Sequence, residues 1–82
     1  MENIEEKVLD ILREVSDELV SYEGENMLKD GLINSLGFVN LIPDLEDVFD
    51  IEIDPALLDA EHFGNKNKII ATIKSVVSLT EN

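Results

Sequence analysis

Eighty-two residues with 44% hydrophobic side chains specify one small folded domain, expected to span residues 1–82, and exclude a disordered chain. The absence of cysteine excludes disulfides, thiolate metal sites and a cysteine nucleophile, and no apolar run approaches the ~20 residues of a membrane span. Nineteen acidic residues against six basic ones give a net charge of −13, which opposes binding to nucleic acid or to an anionic membrane surface.

The first predicted helix runs roughly from Asn3 to Val20. Ile4, Val8, Ile11, Leu12, Val15 and Leu19 recur on one face at helical spacing, and charged residues fill the remainder. Residues 21–31 read as a polar connector containing Gly24 and Gly31, with Met27 and Leu28 pinning it to the core. A second helix starts at Asn34 or Ser35, because both residue types accept hydrogen bonds from the free amides of a first turn. Its apolar stripe is Phe38, Leu41, Ile42, Leu45, Val48 and Phe49, flanked by Leu36 and Val39. Pro43 falls inside it and removes a hydrogen bond to Val39, so a kink or a split is expected there.

Ile51-Glu52-Ile53 alternates like a strand but is too short to pair alone, and it reads as a loop that plugs the core. Asp54-Pro55 starts a short third helix, with Asp as the cap and Pro at the first helical position. Asn65 or Asn67 caps a last helix that ends near Leu79 and turns Ile69, Ile70, Ile73, Val76 and Val77 inward. Three amphipathic helices and one short one give an all-α fold, a small four-helix bundle.

Ser35 stands out at the start of the second helix. A serine is a poor nucleophile until a base takes its proton. The chain's single histidine, His62, lies in a different segment, and no nucleophile elbow surrounds the serine. A serine displayed without a base suits modification by another enzyme. Gly37 has two readings: access for a modifying enzyme, or close packing of the helix. The carboxylates do not fit a twelve-residue calcium loop, so no metal site is assigned.

The segment Asp30-Gly31-Leu32-Ile33-Asn34-Ser35-Leu36, followed by residues 41–53, resembles the acyl/peptidyl carrier protein family over nearly the whole chain. The resemblance implies an acyl-carrier-protein-like bundle without catalytic activity. In that family, the serine corresponding to Ser35 receives a 4′-phosphopantetheine arm from coenzyme A, through a Mg-dependent phosphopantetheinyl transferase. The arm holds an acyl or aminoacyl group as a thioester.

Within the family, the chain is most similar to the D-alanyl carrier proteins. The similar residues are Val8-Leu9-Asp10-Ile11-Leu12, the entry Asp30-Gly31-Leu32-Ile33, Gly37, Asn40 and Asn67-Lys68-Ile69-Ile70-Ala71. Those carriers accept D-alanine from an adenylating ligase and pass it toward cell-wall teichoic acid. Three departures stand out: Asn34 where the family usually has Asp, Phe63 near a tryptophan position, and Pro43.

The resemblance further implies that Leu36, Gly37, Asn40, Glu46 and Asp47 dock partner enzymes carrying basic patches, either ligases or acyltransferase and synthase enzymes. A monomer in the cytoplasm is expected; the first residues, Met1-Glu2-Asn3-Ile4-Glu5-Glu6, are acidic where a signal peptide is basic. Two other readings of cargo and class stay open at this point. One is a carrier of fatty-acid or polyketide acyl chains. The other is an acidic helical adaptor without a prosthetic group, in which Ser35→Ala would change nothing. An esterase using His62 is a more distant third.

Overall fold

Asn3 opens the first helix by accepting a hydrogen bond from the Glu6 amide on its Oδ1, 3.2 Å away. The structure, a computed structural model, describes residues 3–80, apart from the side chains of residues 35, 79 and 80. The described elements are α1 (Ile4–Val15), α2 (Asp17–Ser21), α3 (Ser35–Phe49), a 3₁₀ turn (Pro55–Leu57), α4 (Ala60–Phe63) and α5 (Lys66–Thr80). There is no strand among the described residues, and the all-α bundle expected from the sequence is present. The helix count differs from four, for two local reasons.

The expected first helix is two helices. Ser16 adopts an extended backbone, its Oγ accepts from the Glu18 amide at 3.3 Å, and it caps a new helix. Asp17 and Glu18 then sit in the first turn of α2, where the helix dipole favours negative charge. Leu19 still reaches the core, but Val15, just before the break, is exposed. The second difference is α4, a single turn that the sequence reading left unassigned. Asp59 caps it by accepting from the His62 amide at 3.0 Å.

α1 packs against α2, α3 and α5, while α4 packs against α5 and the 3₁₀ turn. Val8, Leu12, Leu19, Met27, Leu41, Leu45, Phe63, Ile69 and Ile73 are fully buried at their centre. Full burial of one such side chain stabilises the fold by about 1.5–3 kcal/mol. Ile51 and Ile53 are buried as the plug expected between α3 and the 3₁₀ turn, and the Ile53 amide donates to Glu46 Oε2 at 2.8 Å. Asp54 caps the 3₁₀ turn through the Ala56 amide, and Asn65 rather than Asn67 caps α5 through the Lys68 amide, both at 2.9 Å. Thr72, buried on α5, donates from Oγ1 to the His62 carbonyl at 3.0 Å and ties α5 to α4.

Two further expected placements do not hold, and of the kink or split expected at Pro43 the split is absent. Leu28 is exposed, leaving Met27 alone to pin the connector, and Val48 is exposed at the edge of its stripe. Pro43 does not split its helix: α3 is a single element from Ser35 to Phe49. Val39, Asn40 and Pro43 all face solvent. The carbonyl that loses its amide partner therefore lies on the wet side, where water can bind it.

Candidate functional site at the start of α3

The chain enters α3 through a turn held from beneath by Met27. The Met27 side chain is buried, and its carbonyl accepts from the amides of Leu32 at 2.9 Å and Ile33 at 3.4 Å. Between them, Gly31 takes a φ of +80°, a conformation that side chains of L-residues rarely adopt. The connector before the turn is braced by polar contacts. Tyr22 donates from its hydroxyl to Asp30 and accepts from the Asn26 amide at 2.9 Å. Partial burial, and then the hydrogen bond to Asp30, raise the Tyr22 phenol above its ordinary pKa. Asn26 Oδ1 in turn accepts from the amides of Leu28 and Lys29, both at 3.1 Å.

Asn34 begins the helix. Its Oδ1 accepts from the Gly37 amide at 2.7 Å, and its carbonyl accepts from Phe38 at 3.0 Å. Ser35 follows as the first helical residue, as expected; the expected display of its hydroxyl lies outside the described side chains. Leu36 is 68% exposed and Val39 is 61% exposed. Asn40, Pro43, Asp44 and Asp47 are exposed as well. Spacings of three and four residues place Leu36, Val39, Asn40, Pro43 and Asp47 on one outer face of α3. That face is uncharged near the serine and acidic farther along.

Gly37 has a packing reason. A Cβ there would lie 2.9 Å from Ile33 Cγ1 and 3.3 Å from Asn34 Oδ1, so a side chain would push against the residue before the cap and the cap itself. Phe38 is half-buried and meets Phe63 edge to face, with ring centroids 5.8 Å apart and planes at 82°. Glu46 is half-buried, and the oxygen that holds the Ile53 amide is committed to the fold; Asp47 is exposed to solvent.

His62 is held within its own turn, its Nδ1 2.7 Å from Asp59 Oδ1. The hydrogen bond from His62 lowers the Asp59 pKa from its ordinary value. Asp59, Glu61 and His62 bring ligand atoms within 4.8 Å of one another, a grouping the sequence reading did not single out. No described helix is long and apolar enough to cross a membrane.

No protein-family model matches the chain. Individual proteins do. A D-alanyl carrier protein of Lactobacillus acidophilus is 33% identical over 70 residues, covering 84% of this chain and 89% of that protein. One from Lactococcus lactis subsp. lactis is 32% identical over 73 residues, covering 87% and 92%. One from Abiotrophia defectiva is 34% identical over 77 residues, covering 92% and 98%. The chain belongs to the D-alanyl carrier protein family.

For a member of the D-alanyl carrier protein family, the sequence reading passed over one residue that supports the site. Gly64 follows α4, and a Cβ there would lie 2.1 Å from the Glu25 carbonyl oxygen and 2.4 Å from that of Ala60. Only a bare backbone fits. The Gly64 carbonyl also accepts from the Met27 amide at 2.8 Å, so α4 and the connector are locked together directly under the turn that enters α3. A glycine after a short helix signals a stop, but the contact with Glu25 spans too much sequence to be read locally.

Proposed function

We propose that Ser35 carries a 4′-phosphopantetheine arm and that the protein carries D-alanine, as a thioester on that arm, from an adenylating ligase to an acyltransferase serving teichoic acid. The observation that carries this reading is the setting of Ser35: first residue of α3, beside the exposed and uncharged Leu36, Val39 and Asn40, in a chain of this family. The relatives are D-alanyl carrier proteins, which supports D-alanine as the cargo.

The residues present suit a phosphodiester. The cap of α3 is a neutral amide and its first turn holds no acidic side chain, so nothing in that turn repels the phosphate. In loading, a Mg-dependent transferase activates the Ser35 hydroxyl. The new P–O bond forms on Oγ, and adenosine 3′,5′-bisphosphate leaves coenzyme A. When attached, the arm supplies a thiol that binds the cargo as a thioester. The protein itself is a non-catalytic cytoplasmic carrier that presents and docks. Leu36, Gly37 and Asn40 make the first, uncharged part of the docking face. Asp47 adds attraction to basic patches on partners, and Glu46 contributes less because one of its oxygens already serves Ile53.

Intact mass spectrometry tests this. Incubation with coenzyme A, Mg and a broad-specificity phosphopantetheinyl transferase should add one phosphopantetheine to the protein and none to Ser35→Ala. The loaded protein should then accept D-alanine from an adenylating ligase in preference to fatty acids. A folded sample that gains no mass would sink the carrier reading and favour the adaptor. Preferential loading of fatty or polyketide acyl groups would keep the carrier and overturn its cargo.

A further inference from the structure

Asn34 offers two chemically different ends on one planar amide, and the fold uses only one of them. The Gly37 amide needs an acceptor, so the oxygen must face it; the 2.7 Å bond fixes which end is which. The backbone carbonyl of Asn34 is taken by Phe38. The two donors on Nδ2 pair with no acceptor among the described residues. Asn34 is exposed, so water reaches them. Rotating the amide to satisfy Nδ2 elsewhere would break the cap. Adding a Cβ at Gly37 would crowd Oδ1 at 3.3 Å, so glycine there leaves room for the oxygen. The next residue along is Ser35.

We infer that Asn34 is a positioning residue whose Oδ1 caps α3 while its Nδ2 donates a hydrogen bond to the phosphodiester on Ser35. This rests on the reading of Ser35 as the attachment site. An aspartate at position 34 would cap the helix equally well. It has no donor to offer, however, and it would set a negative charge beside another. Asparagine therefore keeps the cap in the unmodified protein and adds a contact that exists only after modification. Such a contact restrains the root of the arm without touching its cargo.

The test compares wild-type protein and Asn34→Asp, each with and without phosphopantetheine, after intact mass has verified the modification. In ¹⁵N-labelled wild type, the Asn34 side-chain amide signals, assigned by their loss in N34D, should shift on modification and exchange with solvent several-fold more slowly. Modification should raise the wild-type melting temperature by roughly 2–6 °C. N34D should lose that increment, while its unmodified form melts like unmodified wild type.

Unmoved Asn34 amide signals in a protein that has gained the mass would overturn the inference, even if N34D lost its thermal increment through charge repulsion. If N34D failed to fold, the wild-type amide signals, assigned from neighbouring residues, would still decide the matter. Absence of the mass gain would overturn the attachment at Ser35 and this inference with it.

Discussion

At its start, α3 turns Leu36, Val39 and Asn40 to solvent with no charge among them, and a neutral side chain closes its first turn. At its other end, Leu45 is fully buried, Glu46 holds the Ile53 amide, and Asp50 takes a left-handed conformation to turn the chain back. One helix thus serves two purposes. The outer residues of its first turns, Leu36, Val39 and Asn40, contribute little to holding the fold together, while Phe38 and Leu41 on the inner side pack against the core. Its last turns fasten the 51–53 plug.

The comparison predicts unequal responses to the same truncation. Leu45→Ala should cost about 2–5 kcal/mol, because it removes a packed side chain and leaves a cavity. Leu36→Ala should change stability by less than ~0.5 kcal/mol. Urea unfolding of both variants measures the contrast, and equal losses would erase the distinction between the two ends. Glu46→Ala should cost about 1–2 kcal/mol, since the Ile53 amide loses its acceptor in a part-buried site. A neutral result in the same urea series would show that the bond from Ile53 to Glu46 does not hold the fold.

Asp50→Gly should stabilise the protein by up to ~1 kcal/mol, because glycine accepts the φ of +53° without strain. The midpoint of thermal unfolding reports it. The smallest effect concerns the support beneath the serine end, where Asp59 opens the α4 turn that carries Phe63 to Phe38. The folded Asp59 pKa is lowered, so its contribution to stability is present above the ordinary aspartate pKa of ~3.9 and is lost as pH falls below it. Melting temperature followed from pH 6 downward should therefore fall less steeply in Asp59→Asn than in wild type.

Features fixed by a few neighbouring residues were legible in the sequence. Asn34 and Ser35 announced the start of α3, Asp54-Pro55 announced the 3₁₀ turn, and the alternation of Ile51 and Ile53 announced the plug. Ser16 was missed because Leu12 and Leu19 keep the same stripe across it, so the periodicity hid a break that Ser16-Asp17-Glu18 spelled out locally. α4 is shorter than any window in which periodicity can be judged. The service of Glu46 to Ile53 reaches across the end of the helix, and the crowding at Gly37 depends on how Ile33 packs. Residue types alone do not show either. Of the candidate site, the position of Ser35 at the start of its helix could be read directly. The division of labour along α3 could not, because exposure is a property of the whole fold.

Gly31 and Gly64 look alike on paper, yet one is constrained by handedness and the other by room. Nothing lies within 4 Å of a Cβ at Gly31, where only the sign of φ excludes an L-residue; at Gly64 the backbone of Glu25 fills the space. A mirror-image residue placed at position 31 by chemical synthesis should fit the turn and restrict the unfolded chain. At position 64 an L-residue should fail for want of room.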